Sequence, residues 1–332
     1  MKFLFSVFVL MLSLTGCDVK AGQAHDKKIS IDLSKINEVM KRNDEKEKKQ
    51  FFSGLVITAG KDDAIAQNLM GVIYENGYLD QKKDMNKAIY WYTQAVKNNN
   101  GFAENNLGSL YAHGIGVEQD YRKAYEYYKN AMEKNIPEAI NSIGFMYFNG
   151  FYLKQDLKKA CEYYQKAADL GHLLAQANVA NCYYNGSGGT KSLNKYFEYS
   201  LKAAEQGYAP SQFNVAAMYK KGEVIDKSIE KSVYWYKKAI ENSEPRAAYN
   251  LASLYEKGDG VKQDFDLAYA YYTLAKEFGL GAAQKKLLEL DSKVLNGNIR
   301  ILRTDEGIKI AVDDSNHKRG IVEVNDFLNL NN

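Results

Sequence analysis

The residues best suited to metal binding or acid–base catalysis are four histidines, His25, His113, His172 and His317, in a chain of 332 residues. No two of them stand at the spacing at which one helix presents two ligands to a metal ion. We find no glycine-rich phosphate loop after a strand, and no Gly-x-Ser-x-Gly turn between a strand and a helix. Because the acidic residues are scattered through polar faces at helical spacing, we predict no catalytic centre, no bound metal and no cofactor.

Cysteine chemistry is the second possibility, because the chain has three cysteines. Cys161 and Cys182 lie at equal distances from Gly171-His172, where we predict a turn between two helices. Two residues at the same height of an antiparallel helix pair can be bridged, and such bridges persist in oxidising compartments. The alternative is two separate buried thiols, since free cysteine packs as a small apolar residue.

The third cysteine, Cys17, follows an apolar run that begins after Lys2. Residues 3–14 are too few to span a bilayer, which needs about 18 or more, and a basic start before a short apolar run is typical of a secretory signal. Residues 14–17, Leu-Thr-Gly-Cys, resemble the bacterial lipobox, whose cysteine is lipidated and becomes the mature N-terminus. The alternative is a plain signal peptide with an incidental cysteine.

The lipobox resemblance implies a location as well as a modification. Cys17 would carry acyl chains, palmitate among them, and two such chains already anchor a protein stably. Asp18, the next residue, resembles the signal that keeps enteric lipoproteins on the inner membrane. We therefore predict a lipid-anchored protein on the periplasmic face of the inner membrane, with the outer membrane as the alternative.

Charge and composition exclude several other classes of protein. Lysine and arginine total 44 against 41 aspartates and glutamates, a net charge of +3, which is too balanced for a surface that tracks nucleic-acid phosphates. With 45% hydrophobic and 26% charged residues, the chain is neither disordered nor an integral membrane protein. Only three prolines permit closely joined helices, and 26 tyrosines indicate a recurring structural position.

The chain between about residues 66 and 282 repeats every 36 or 37 residues. Each repeat has a glycine or alanine, a tyrosine three residues later, and a glycine three residues after the tyrosine. The small residues are Gly71, Gly108, Gly144, Ala180, Ala216 and Ala252. The tyrosines are Tyr74, Tyr111, Tyr147, Tyr183, Tyr219 and Tyr255. A repeat of this length indicates stacked helical units.

Two helices are predicted within each repeat. Ala103, Leu107 and Tyr111 recur at helical spacing, and Gly114 ends that first helix. An N-capping residue then starts the second helix. These residues are Asp84, Asp120, Asp156, Ser192, Ser228 and Asp264. Since a helix pair cannot bury its own apolar faces, consecutive repeats must stack into a solenoid.

Residues 103–135, AENNLGSLYAHGIGVEQDYRKAYEYYKNAMEKN, and residues 247–279 closely resemble Sel1-like repeats, which are related to tetratricopeptide repeats. The resemblance implies an all-α protein, a right-handed α-solenoid of six helix-turn-helix repeats with a terminal capping helix. The predicted segments are a signal peptide (1–16), a tether (17–32), N-terminal capping helices (33–65), the solenoid (66–296) and a C-terminal extension (297–332).

The sequence changes character in two places. In the fourth repeat, Tyr196 and Ser200 stand where alanine and an aromatic residue are usual, which indicates either drift or a local hinge. In the C-terminal extension, Ile308, Ile310 and Val312 alternate with polar residues after a glycine turn, which predicts a short β-hairpin. Because isolated hairpins are marginal, the hairpin must pack on the solenoid or on a partner.

The tetratricopeptide-like geometry implies which side chains line the concave face. They stand three residues before, one after and four after the small residue of each first helix. The candidate partner-binding residues are Asn105, Ser109, Phe145, Phe148, Asn181, Tyr184, Phe213, Lys220 and Tyr249. Aromatic residues flanked by Asn and Lys are typical of binding hot spots. The alternative is that these aromatic rings fill unevenly packed helix junctions.

The resemblance therefore implies a non-catalytic scaffold that binds a protein, with no nucleic acid and no small-molecule substrate as partner. Some Sel1-like lipoproteins are encoded beside type VI secretion phospholipase effectors, which they neutralise in the periplasm, and an immunity protein is our first hypothesis. The second hypothesis is an envelope adapter that organises a signalling or polysaccharide-assembly complex. The third is a β-lactam or peptidoglycan hydrolase, which the small number of cysteines disfavours.

Overall fold

Helices account for most of the described part of the chain, which in a computed structural model comprises residues 33–42, 44–291, 293–294, 298–304, 307–313 and 322–323. Two helices, α1 (Leu33–Arg42) and α2 (Glu45–Ala59), precede the repeats. The six repeats are α3 (Ala64–Asn76) with α4 (Met85–Lys97), α5 (Gly101–His113) with α6 (Tyr121–Glu133), α7 (Pro137–Asn149) with α8 (Leu157–Asp169), α9 (Leu173–Asn185) with α10 (Leu193–Glu205), α11 (Ala209–Lys221) with α12 (Ile229–Glu241), and α13 (Pro245–Lys257) with α14 (Phe265–Glu277). Helix α15 (Ala282–Leu290) follows them.

The second helix of each repeat begins at its predicted N-cap. The side chain of Asp84 accepts a hydrogen bond from the backbone N–H of Lys87 at 3.0 Å, which satisfies one of the donors that a helix start leaves unpaired. The other second helices begin in the same way at Asp120, Asp156, Ser192, Ser228 and Asp264. The first helix α5 ends before Gly114, whose φ of +67° is strained for residues with a Cβ.

The small residue of each early repeat gives space to a buried tyrosine of its second helix. A Cβ at Gly108 would lie 2.8 Å from the ring of Tyr128, and a Cβ at Gly144 would lie 2.8 Å from the ring of Tyr164. The predicted inward stripe of α6, which consists of Ala124, Tyr128 and Ala131, is buried. The two helices of a repeat therefore approach each other at the glycine, and the tyrosine ring fills the contact.

A second set of tyrosines stacks between the two helices of a repeat. The rings of Tyr111 and Tyr127 lie 5.7 Å apart between centroids with an interplanar angle of 12°, and Lys123 Nζ lies 5.1 Å from the centroid of Tyr111. Equivalent stacked pairs are Tyr147–Tyr163, Tyr183–Tyr199 and Tyr255–Tyr271. The high tyrosine content therefore follows from positions that the fold repeats.

A buried polar pair joins the first helix of a repeat to the end of its second helix. Gln67 donates to the carbonyl of Ala59 at 3.1 Å and accepts a hydrogen bond from Asn98 at 2.8 Å. In the second repeat the same positions hold Glu104 and Lys134, whose charged groups lie 2.6 Å apart. The glutamine satisfies a carbonyl at a helix end, where an intrahelical partner is missing.

The chain divides into two compact units, the first ending at His172 and the second beginning at Leu173. The first unit contains α1–α8, and its core consists of separate apolar clusters around successive helix pairs. The second unit contains α9–α15 and the strands, with its largest cluster around α12, α13 and α14. None of the helices in the described ranges combines the length and apolar character that crossing a bilayer requires.

The predicted C-terminal hairpin is confirmed. Strands β1 (Asn298–Thr304) and β2 (Gly307–Asp313) pair antiparallel, with Ile301 opposite Ile310, and β3 (Val322–Glu323) pairs with the other side of β2. Ile310 is fully buried in the cluster of the second unit, and Arg303 lies 2.7 Å from Glu277 of α14. The hairpin thus packs on the helices of its own chain, the first of the two arrangements that the sequence allowed.

Candidate protein-binding face

The candidate residues of the first unit lie on its first helices, α5 and α7. Phe145 and Phe148 are 50% and 43% exposed, although large apolar side chains at helix contacts in this protein are buried. The ring of Phe145 lies 6.0 Å from that of Phe151 between centroids. Phe145 and Phe148 therefore leave about half of their surface to solvent, which favours the partner-binding hypothesis for these two residues.

Two further exposed apolar residues belong to the same face, and the sequence analysis missed them. Phe102 is 54% exposed and Ile65 is 52% exposed. Each stands six residues before the small residue of its first helix. The first concave position that the resemblance implies is three residues before the small residue, which is about one helical turn later. Extending the stripe by that turn would have found them, since residues three or four apart share a helix face. We call Ile65, Phe102, Asn105, Ser109, Phe145 and Phe148 the first-unit face.

Polar groups lie on the same two helices, α5 and α7, as these rings. Asn105 Oδ1 and Glu138 Oε2 are buried and have no hydrogen-bond partner among the described residues, and burial raises the pKa of Glu138. Burial also raises the pKa of Tyr128 to about 12, although Ser142 and Ser109 hydrogen-bond to it. Ser109 of α5 therefore lies at the point where Tyr128 of α6 contacts α5. Buried polar atoms without a hydrogen-bond partner are rare in folded proteins.

The candidates of the second unit divide into two groups. Tyr184 is 49% exposed, and Asn181 is exposed while Lys220 is partly exposed. In contrast, Phe213 lies between the ring of Tyr236, at 6.0 Å, and the guanidinium of Arg246, at 4.4 Å.

Tyr249 is also engaged within the second unit. Its ring meets that of Tyr272 edge-on at 5.0 Å, and the residue is only partly exposed. The helix-junction alternative therefore describes Phe213 and Tyr249. Tyr184, Asn181 and Lys220 remain accessible to a partner.

Arg246 is held in place over Phe213 by a two-point contact. Its Nε and Nη2 donate to the two carboxylate oxygens of Glu244 at 2.7 and 3.0 Å. Glu244 is 7% exposed and also accepts from the backbone N–H of Arg246. A bidentate pair of this kind fixes the guanidinium plane, so its stacking on the phenylalanine is a structural contact of the second unit.

The fourth repeat exchanges a large and a small residue across one helical turn. Ser200 is fully buried at the position that a tyrosine such as Tyr236 occupies in other repeats, and Tyr196 stands at the usual alanine position. The ring of Tyr196 lies 4.9 Å from that of Tyr184. The exchange keeps a similar total side-chain volume and places the aromatic ring one helical turn earlier on α10, next to Tyr184 of α9. The hinge near residues 186–200 stays a hypothesis.

Cysteine and histidine residues give no other site in the described ranges. Cys161 and Cys182 are each disulfide-bonded, and their pairing with each other stays a prediction. No cluster of three or more potential metal ligands occurs among the residues that the structure describes. The lipidation candidate Cys17 and the histidines His25 and His317 lie outside those residues.

Burial of His172 predicts a pH dependence of stability. Burial lowers the pKa of this imidazole from 6.5 to about 4, so the unfolded chain binds the proton more readily between these values. Stability is fully present above pH 6.5 and should fall by about 2–3 kcal/mol as the pH drops to about 4.5. Urea unfolding of His172→Gln should show a correspondingly smaller pH dependence. The exposed His113→Gln is the control, and equal slopes for all three proteins would contradict the prediction.

The Sel1 repeat profile matches six consecutive segments, residues 64–100, 101–135, 137–172, 173–208, 209–244 and 245–277. They coincide with the six helix pairs from α3–α4 to α13–α14. No curated protein matches the sequence.

Two solved structures show the same fold. A Sel1 repeat protein from Oxalobacter formigenes is 31% identical, with a TM-score of 0.65 over 74% of this chain and 98% of that one. A protective antigen of uropathogenic Escherichia coli with an SLR fold is 29% identical, with a TM-score of 0.61 over 72% of this chain, which spans 51% of that protein. The immunity protein Pa5087 from Pseudomonas aeruginosa is 22% identical over 59% of this chain and 75% of that one, and its TM-score of 0.39 supports no functional argument.

Proposed function

The chain belongs to the Sel1 repeat family, and from that premise we propose that it is a non-catalytic scaffold that binds another protein through the first-unit face. The observation that carries the proposal is the exposure of Phe102, Phe145 and Phe148, each about half open to solvent on first helices of one unit. Exposed apolar side chains that share one face mark interaction sites, and aromatic residues supply most of the binding energy there.

The chemistry of the first-unit face favours a polypeptide partner. Asn105 and Ser109 are partly exposed on the same helix stripe as the phenylalanines, so a partner gains affinity if it brings hydrogen-bonding groups next to apolar side chains. Backbone amides combined with aliphatic or aromatic residues provide both. A small anionic ligand would lack the apolar area that three phenylalanines can bury.

We propose further that the partner is a phospholipase effector of a type VI secretion system and that the protein confers immunity to it. The support is the resemblance to Sel1-like lipoproteins with that role, together with the lipobox-like Leu-Thr-Gly-Cys sequence that ends at Cys17. An anchor on the periplasmic face of the inner membrane would place the scaffold where an incoming lipase acts. Occlusion of the lipase by the first-unit face would then neutralise it.

The proposed interface is tested by Phe145→Ala combined with Phe148→Ala. If the partner is a phospholipase effector, truncating the two aromatic side chains should weaken its binding by about 100-fold, since each such side chain contributes about 2 kcal/mol or less when both are removed. Isothermal titration calorimetry measures the change, and unaltered helicity by circular dichroism excludes unfolding. Tyr90→Ala is the matched control, because Tyr90 is 55% exposed on α4, outside this face. An unchanged Kd for the double variant would exclude the interface.

A genetic test separates immunity from the adapter role. Deleting the gene should sensitise cells to the phospholipase effector that the proposal requires, and the wild-type gene should restore resistance where the double variant does not. Unaltered sensitivity contradicts immunity. An adapter predicts instead that the protein co-purifies with an integral membrane partner of a signalling or polymer-export system, in cells that never meet the effector.

A further inference from the structure

The loops inside the first three repeats form one edge of the first unit, which we call the loop edge (residues 78–87, 115–123 and 151–159). The loop of the second repeat packs on the start of α4, where a Cβ at Gly116 would lie 2.9 Å from Met85. The loop of the third repeat packs on the start of α6, where Phe151 stacks on Tyr121 at 4.6 Å. Each of these two loops therefore touches the preceding second helix, and the three loops are neighbours.

Tyr152 occupies a backbone position on this edge that favours glycine. Its φ is +59°, and the equivalent residue in the second repeat is Gly116, with φ +70°. Leu79 takes the same conformation in the first repeat, but Leu79 is 2% exposed and its packing offsets the strain. Tyr152 is 55% exposed, with one ring contact to Tyr125 at 5.6 Å. Packing therefore does not explain why a tyrosine stands here, and strain of this kind is often retained for function.

Charge on the loop edge is predominantly positive. Its three segments contain eight lysines and arginines against five aspartates and glutamates, and three of these acidic residues are the N-caps Asp84, Asp120 and Asp156. The opposite edge of the first unit has the reverse balance, three against five, in residues 60–65, 97–102, 133–138 and 169–172. Lys154 and Lys158 are exposed and form no salt bridge within the described ranges.

We propose that the loop edge of the first unit lies against an anionic membrane surface, with the ring of Tyr152 at the level of the lipid headgroups. Cations spread over three loops suit a surface of mobile anionic groups better than one protein pocket. Tyrosine combines an apolar ring with a polar tip and is favoured at membrane interfaces. Ile115 and Leu157, 36% and 38% exposed, add apolar contacts. This inference goes beyond the proposed function and does not depend on it.

Quenching by brominated lipids tests the contact on the full chain. Tyr152→Trp should be quenched at least twofold more than Tyr90→Trp in vesicles of phosphatidylethanolamine with dibrominated phosphatidylglycerol, after subtraction of the wild-type signal. Tyr90 is the matched control, because both tyrosines are 55% exposed in the same unit. A lipid anchor would tether both variants equally. Equal quenching of the two variants, or equal quenching in dibrominated phosphatidylcholine, would overturn the proposal and leave the edge to a protein partner.

Two further variants separate membrane contact from folding. Lys154→Glu with Lys158→Glu should reduce the quenching of Tyr152→Trp without lowering the melting temperature. Tyr152→Gly should raise the melting temperature, because glycine adopts positive φ without strain; a lower value would show that packing retains the tyrosine and would remove the argument. Phe145→Ala with Phe148→Ala should leave the quenching unaltered, so failure of the protein-binding proposal is distinguishable from failure of this one.

Discussion

Gly71→Ala should destabilise the protein by about 3 kcal/mol, whereas Gly54→Ala should stabilise it by about 1 kcal/mol. A Cβ at position 71 would overlap the ring of Tyr92. Tyr92 is fully buried, and its hydroxyl donates to Glu75 at 2.6 Å. The ring therefore has no space to turn away, and α3 and α4 must separate instead. The cost exceeds the helix propensity gained by replacing a glycine within α3.

Gly54 isolates the propensity effect in the same unit. It lies inside α2, is exposed, and has no heavy atom within 4 Å of a Cβ placed on it. Denaturant unfolding followed by circular dichroism gives the free energies of both variants. Opposite signs are expected, and equal signs would mean that the contact of Gly71 with Tyr92 relaxes without cost.

The repeat pattern predicts that glycine and alanine are interchangeable at the position of Gly71. The structure shows that they are not. Ala216 and Ala252 occupy it in later repeats and are buried there without conflict. Whether a methyl group fits depends on how deeply the facing tyrosine enters the contact. Helical periodicity places both residues at the interface, but the separation of the two helices results from all the side chains between them.

The features that the sequence predicted are those that local chemistry determines. Asp84 starts α4 because its oxygen reaches an N–H group three residues later, and the neighbouring repeats do not alter this contact. Exposure of the candidate binding residues is different, because it depends on the next repeat. Phe213 and Phe145 are both aromatic residues at predicted concave positions of a first helix, yet Arg246 covers Phe213 and Phe145 remains open.

A comparison of the repeats with one another would have revealed the polar pair at the helix junction. The two positions hold Gln67 with Asn98 in the first repeat and Gln212 with Asn242 in the fifth, both hydrogen-bonded. The second repeat has Glu104 with Lys134 in their place. Both members change together, because an acceptor buried at the first position needs a donor of matching charge at the second.

Lys134→Ala should therefore destabilise the protein by about 3 kcal/mol, because it leaves a buried carboxylate without its cation. The side chain of Glu104 is only 6% exposed, and its Oε2 already lacks a partner among the described residues. The ammonium group of Lys134, 2.6 Å away, is the one salt-bridge partner of this carboxylate within those residues.

Glu104→Gln combined with Lys134→Asn should restore stability to within about 1 kcal/mol of wild type, since neutral hydrogen-bonded replacements of a buried ion pair are often neutral or stabilising. This double variant copies the pair that the first and fifth repeats carry, and the introduced glutamine amide would supply an N–H donor for a carbonyl at the end of α4. A double-mutant cycle by urea unfolding measures the coupling. Additive effects of the two single variants would show that the two positions act independently and that their joint change across the repeats has another cause.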